Sequence, residues 1–143
     1  MLGHGLRGLR VLVAEDEYLL ADDLRAELEQ AGAVVLGPVA RLQHALDIIA
    51  EEPDIDVAVL DVNLSGDKIF PVADRLIQLG VPVIFTTGYD QATIPPRYSH
   101  IDICEKPFSA GQVAQIIGRL VEDGRRGRGS PSAGSGADQA RAI

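Results

Sequence analysis

The stretch VAVLDVNLSG, Val57 to Gly66, decides the fold. Four apolar residues run unbroken into Asp61, after which Asn63, Ser65 and Gly66 supply turn chemistry. Such a run reads as a buried central strand that delivers one carboxylate to its C-terminal end. In open α/β sheets, ligands sit in the crevice outside the carboxyl ends of the strands, so an acid where the apolar run stops is placed for chemistry. A strand-end Asp can also merely cap the next turn. Asp61 differs from that case because three other apolar runs end in polar residues of the kind a phosphoryl or metal site needs.

Upstream, Leu9 to Ala14 (LRVLVA) is a short strand running directly into Glu15, Asp16 and Glu17. Leu20, Leu24, Leu28 and Ala31 then recur at helical spacing until Gly32 offers a stop. Ala33 to Val39 reads as a second strand, and Pro38 within it points to a sheet edge or a strand end. Leu42, Ala45, Leu46 and Ile49 form the next helical stripe, closed by Pro53. Downstream, Val72, Leu76 and Leu79 line a helix that opens near Pro71 and ends at Gly80. Val81 to Thr87 (VPVIFTT) is a fourth strand, and Ile101 to Cys104 a short fifth one leading to Glu105, Lys106 and Pro107. Ser109 and Gln112 have capping-box spacing, Phe108 and Val113 have staple spacing, and Val113, Ile116, Ile117 and Leu120 form the stripe of the last helix.

Strands alternating with helices predict a flavodoxin-like, doubly wound, five-stranded parallel sheet of order 2-1-3-4-5. One helix of that pattern is expected to be short or absent. Pro95 and Pro96 sit where the fourth helix would have its middle, and an interior proline removes a backbone donor and costs ~3 kcal/mol. Residues 90 to 99 are therefore expected to form a mobile loop, held in part by Ile94, Tyr89 and Tyr98.

With 143 residues, 46% of them hydrophobic, the chain has room for one domain. Residues 9 to 123 carry the pattern, 1 to 8 read as a short leader, and 124 to 143, rich in Gly, Arg and Ser, as a disordered tail. No apolar run approaches the ~20 residues of a membrane span, and Met1 to Arg10 lacks the pattern of a signal peptide, so a cytoplasmic location is expected. Cys104 is the sole cysteine, which excludes an intrachain disulfide and a cysteine metal cluster. Residues 1 to 123 hold 9 basic against 20 acidic residues, net −11, while 124 to 143 carry net +3. A domain this acidic is not expected to bind nucleic acid directly.

The strand order places Glu15 and Asp16, after the first strand, beside Asp61, after the third. Three crowded carboxylates repel one another unless a cation sits among them, and a hard oxygen cage with room for waters and a phosphate suits Mg2+. Thr87 and Lys106 close the ring from strands four and five. A hydroxyl and an ammonium opposite a metal are what a transferring phosphoryl group requires. Each element also has an ordinary reading: the acidic run could favour a helix N-terminus, alternation lets only one of Thr86 and Thr87 face the pocket, and Lys106 could be a solvated strand-end lysine.

The pieces VLVAEDE, VAVLDVNLSG, VIFTTG and EKPF, in this order and spacing over residues 9 to 122, resemble the response-regulator receiver (CheY-like) family. The resemblance implies that Asp61 is the phosphoacceptor, Asp16 a direct magnesium ligand, Glu15 a ligand acting largely through water, and the carbonyl of Asn63 a further ligand. It implies that Thr87 turns its hydroxyl toward the phosphoryl group, that Lys106 is its counter-ion, and that the Lys106–Pro107 peptide is cis. GPVA, LDVNLSGD, FPVAD and FTTGY are similar, more narrowly, to the single-domain alphaproteobacterial receivers called the FATGUY group, associated with general stress signalling. Thr86 stands where that motif has Ala.

The function this implies is a single-domain response regulator of a two-component phosphorelay. It would take a phosphoryl group on Asp61 from a sensor histidine kinase, then switch binding of a downstream signalling or phosphotransfer protein or act as a phosphate sink. Many receivers carry an aromatic switch three residues before the lysine; here that position is Ile103, and Tyr89 or Tyr98 is the candidate substitute. Two alternatives belong to other classes. A magnesium-dependent aspartyl phosphohydrolase typically wants a second acid two residues after the nucleophile, where this chain has Asn63. A non-phosphorylated interaction module is at odds with the intact set Glu15, Asp16, Asp61, Thr87 and Lys106.

Overall fold

The computed structural model describes residues 5–88 and 94–129, the last six of these by backbone alone. Strand β1 (Arg10–Ala14) leads to helix α1 (Tyr18–Gln30), β2 (Val34–Val39) to α2 (Leu42–Glu51), and β3 (Val57–Asp61) to a two-stranded hairpin, β4 (Asn63–Leu64) and β5 (Asp67–Lys68). Helix α3 (Phe70–Gln78), β6 (Val83–Thr87), a 3-10 turn (Pro96–Tyr98), β7 (Asp102–Glu105) and α4 (Ala110–Gly129) complete the chain. The main sheet is parallel, in the order β2-β1-β3-β6-β7. Counting its five strands in sequence, this is the expected 2-1-3-4-5 order, with β1 and β3 adjacent.

Alternation along the strands divides the core between the two faces of the sheet. On one face Leu12, Ala58, Leu60 and Phe85 pack with Ala45 and Ile49 of α2 and Val72 and Leu76 of α3. On the other, Val11, Val13, Val57, Val59 and Ile84 pack with Leu24 and Leu28 of α1 and Val113 and Ile117 of α4. Every residue of β3 is buried, which is why its sequence is a continuous apolar run rather than an alternating one. Asp61 follows Val57 and Val59 at two-residue steps and so lies on the α1/α4 face.

The capping signal of α4 acts as read, whereas Leu79, expected on the apolar stripe of α3, caps that helix and is 50% exposed. Ser109 Oγ accepts from the Gln112 amide (3.1 Å) while Gln112 Oε1 accepts from the Ser109 amide (2.8 Å), satisfying two donors at the start of α4. Pro38 lies in β2, an edge strand. Beside it, Gly37 has φ +103° and approaches β1 so closely that a Cβ would sit 2.8 Å from the Val13 carbonyl oxygen. The β1–β2 register shifts between Leu12 and Ala14 at this point.

Three boundaries differ from the sequence reading. Leu6, assigned to a leader, is 4% exposed and packs into the α1/α4 core; its amide donates to the Ala31 carbonyl. Helix α4 continues to Gly129, beyond the expected boundary at Asp123. Once a helix is nucleated each further residue adds a hydrogen bond, which carries α4 through Arg125, Arg126 and Arg128 in spite of the poor helix formers Gly124, Gly127 and Gly129. The expected tail from residue 130 onward lies outside the described residues.

The third difference concerns the segment between β6 and β7. Among the described residues it holds no α-helix, as the prolines dictate, and Tyr89 to residue 93 lie outside the description. From Ile94, however, the chain is pinned rather than loosely held. Tyr98 is 1% exposed, stacks on Phe70 (5.1 Å between ring centroids, 16°) and meets Phe85 edge-on (5.5 Å, 79°). Its hydroxyl donates to Asp74 and accepts from Arg97 (2.7 Å). Burial first, and then the Asp74 hydrogen bond, push the phenol up to about 12. Tyr98→Phe should retain the stack and cost about 1–2 kcal/mol, whereas Tyr98→Ala should cost about 3–5 kcal/mol, measured by urea unfolding.

Candidate functional site

The C-terminal ends of β1, β3, β6 and β7 surround an open cleft of about 690 Å³, lined among others by Asp16, Asp61, Asn63, Gly88 and Lys106. Glu15 and Asp61 are 3% and 4% exposed, and Asp16 is exposed. One carboxylate oxygen from each of Glu15, Asp16 and Asp61 lies within 4.8 Å of the other two.

Main-chain turns aim these groups. The Asn63 amide donates to Asp61 Oδ1 (3.1 Å), the Glu17 amide to Glu15 Oε2 (3.0 Å) and the Ser65 amide to Asp16 Oδ2 (2.8 Å). Lys106 reaches in from the end of β7: its Nζ is 2.8 Å from Asp61 Oδ2, 2.9 Å from Glu17 Oε1 and 3.4 Å from Glu15 Oε2. Its peptide with Pro107 is cis, as the resemblance implies. Burial alone would lower the Lys106 ammonium, but hydrogen bonds to Asp61 and Glu17 and the attraction of Glu15 and Asp61 outweigh it and raise it.

The positive charge does not satisfy the whole cluster. Glu15 Oε1 is buried with no hydrogen-bond partner among the described residues, and burial first, then the charge of Asp61, raise its carboxyl from 4.5 to about 7. Hard oxygen donors at this spacing, one of them an orphaned buried atom, fit a divalent hard cation.

Thr87 ends β6, is 1% exposed, and its hydroxyl has no hydrogen-bond partner among the described residues; the same holds for Thr86. Register pairs Asp61 with Thr86 and Thr87 with Glu105. Alternation therefore puts Thr86 on the Asp61 face and Thr87 on the other, so the structure gathers Glu15, Asp16, Asp61, Asn63 and Lys106 while neither threonine is hydrogen-bonded to them. Ile103 sits opposite Phe85 and packs against the core that holds Tyr98.

Three contributors go beyond the residues singled out from sequence. Glu17 shares Lys106, Ser65 holds Asp16 and donates from Oγ to the Ala40 carbonyl (2.5 Å), and Lys68 donates to Asn63 Oδ1 (2.7 Å). The adjacency of Glu17 to the acidic pair was a visible signal; the other two depend on the hairpin register.

A parallel sheet with an acidic, lysine-bridged pocket at the β1–β3 switch point defines a phosphoacceptor class of protein rather than a classical enzyme. The family model for the response regulator receiver domain matches residues 11–118, and the chain belongs to that family, the receivers of two-component systems.

Among curated relatives, the sensory transduction protein LytT of Bacillus anthracis is 32% identical over 114 residues, covering 76% of this chain and 46% of the relative. The phyllosphere-induced regulator PhyR of Methylorubrum extorquens is 30% identical over 114 residues, covering 78% and 43%. The chain thus spans less than half the length of these two relatives. The solution structure of SdrG from Sphingomonas melonis Fr1 is similar at 34% identity and a TM-score of 0.69, over 80% of this chain and 98% of that one. The BeF3-activated conformation of SdrG from Pseudomonas melonis Fr1 is similar at 33% identity and a TM-score of 0.65, over 78% and 95%. No helix among the described residues is long and apolar enough to cross a membrane.

The raised Glu15 carboxyl has a consequence for stability in the presence of a chelator. Its protonated form is favoured by the fold, so its contribution is fully present below about 4.5 and is lost as the pH rises through about 7. Urea midpoints should fall across that window, and Glu15→Gln should flatten the fall.

Proposed function

We propose that this chain is a single-domain response regulator of the FATGUY kind, in which Asp61 takes a phosphoryl group from a sensor histidine kinase. The observation that carries this reading is the Lys106 ammonium 2.8 Å from Asp61, inside the Glu15–Asp16–Asp61 cluster. The likeness to SdrG, nearly the whole of whose chain is covered, supports the single-domain reading.

In the transfer, an Asp61 carboxylate oxygen attacks phosphorus, the bond from phosphorus to the donor nitrogen breaks, and an acyl phosphate forms. Asp61 is held for attack by the Asn63 amide and Lys106. Lys106 then donates to a phosphoryl oxygen, and Thr87 supplies a further donor by turning its unpartnered hydroxyl over the end of β6. Glu15, Asp16, Asp61 and the Asn63 carbonyl would hold Mg2+, which when bound neutralises charge on the phosphoryl oxygens. Glu15 must be ionised for this, so metal binding is coupled to loss of its proton.

Movement at Thr87 is passed to the surface through the ring cluster of Phe85 and Tyr98, because Ile103 cannot act as an aromatic switch. The changed surface then binds a downstream protein, or the domain serves as a phosphate sink. A hydrolase reading lacks its general acid, since Asn63 is an amide bonded to Lys68.

Incubation with magnesium and acetyl phosphate should add one phosphoryl group to the intact mass, and Asp61→Asn should abolish the gain while remaining folded. Undiminished labelling of the variant would overturn the assignment. Magnesium at a hundredfold excess over its Kd should stabilise the wild type by about 2.7 kcal/mol, with Asp16→Ala losing most of this in a thermal melt.

A further inference from the structure

Lys106 follows the end of β7, yet its Nζ lies 2.8 Å from Asp61 Oδ2 at the end of β3. Strand β6 stands between those two strands, so the lysine bridges two strand spacings, roughly 9.5 Å. Its side chain therefore crosses β6. Register pairs Asp61 with Thr86 and Thr86 with Cys104, and paired residues of a parallel sheet point to the same face. Ile84 and Cys104, two residues before Thr86 and Lys106, both lie in the α1/α4 core. Asp61, Thr86 and Lys106 thus share that face, and the β6 side chain under the bridge is Thr86.

Main-chain bonds fix Thr86 in this place. The Val62 amide donates to the Thr86 carbonyl (2.9 Å), and the Lys106 amide to the Thr87 carbonyl (2.7 Å). Thr86 is 1% exposed, and its hydroxyl has no hydrogen-bond partner among the described residues. A buried polar atom without a partner is destabilising, and valine would fill the same space without one. An orphaned hydroxyl beneath an ammonium and a carboxylate gains its partners only when that bridge rearranges.

Lys106 uses its three donors unevenly. One goes to Asp61, one to Glu17 Oε1 (2.9 Å), and the third has only Glu15 Oε2 at 3.4 Å, longer than an ordinary hydrogen bond. The Glu17 side chain is 62% exposed and draws the ammonium outward. We propose that Thr86 is a positioning residue for Lys106: during phosphoryl transfer its hydroxyl accepts from the ammonium and donates to the Asp61 carboxyl group, keeping the ammonium over the phosphoryl oxygens and away from Glu17.

This rests on Asp61 being the phosphoacceptor. In labelling by acetyl phosphate an Asp61 oxygen attacks phosphorus, the bond from phosphorus to the acetate oxygen breaks, and acetate leaves with the electron pair. Thr86 neither gains nor loses a proton. The oxygen that becomes the ester loses its charge and with it much of its hold on Lys106, so without the hydroxyl the ammonium turns to Glu17.

The test is the rate of labelling at fixed acetyl phosphate and magnesium concentrations, followed by intact mass. Thr86→Val should slow it roughly fivefold, the scale of one net hydrogen bond, while Thr86→Ser should stay within about twofold of wild type. The Thr86→Val variant should also unfold at an equal or higher urea concentration, because its core loses the orphaned atom. In a Glu17→Gln background Thr86→Val should cost almost nothing, since the competing charge is gone. Equal rates for wild type and Thr86→Val, a Thr86→Ser variant as slow as Thr86→Val, a lowered urea midpoint of Thr86→Val, or an undiminished loss in the Glu17→Gln background would each overturn the role of Thr86. Lack of any labelling of the wild type would instead overturn the phosphoacceptor reading, and this inference with it.

Discussion

Everything at the working end of this molecule depends on one electrostatic conflict. Two strands of a parallel sheet end side by side in carboxylates, and a single ammonium from the sheet's other side answers them. The conflict is sharp because Glu15 and Asp61 are buried, where charge is weakly screened. The apolar runs that make β1 and β3 good central strands are therefore also what give their terminal acids reactivity. Fold stability and site chemistry pull in opposite directions at these residues, and the lysine leaves part of the tension in place, as the orphaned Glu15 oxygen shows.

The sheet and the acidic cluster were legible in the sequence because both are written in local runs. LRVLVA and VAVLD end in acids, VPVIFTT ends in a hydroxyl, and the crossover rule puts those ends on one edge. The capping box at Ser109 and the proline break at Pro95 and Pro96 are likewise local codes with a direct stereochemical meaning. What escaped the reading is tertiary. Nothing in PPRYSH says that Tyr98 turns inward to stack on Phe70, a residue 28 positions earlier in the chain. Nothing around LGHGLR says that Leu6 finds a slot beside α1, because a lone apolar residue has no period to reveal its face. The links of Ser65 to Asp16 and Lys68 to Asn63 required the hairpin register, which two-residue strands do not announce.

The aromatic cluster of Phe70, Phe85 and Tyr98 joins the end of β6 to the start of α3. Tyr98 also reaches the surface chemically, since its hydroxyl lies between Asp74 and Arg97, which form an ion pair of 3.2 Å. A ring fixed at both its apolar face and its polar tip has two interactions to break before it can leave, so the segment around it responds as a unit.

The order in which the charges occur along the chain bears on how the protein is made. Glu15, Glu17 and Asp61 are all synthesised before Lys106, the ammonium that bridges them. A nascent chain emerging N-terminus first can pair β1 with β2 and β3 while β6 and β7 are still inside the ribosome. At that stage the half-built sheet carries its acids together without their counter-charge, and the exposed edge of β3 awaits β6. Arrival of β7 then brings the last strand and the balancing charge in one step, tying completion of the sheet to neutralisation of the site.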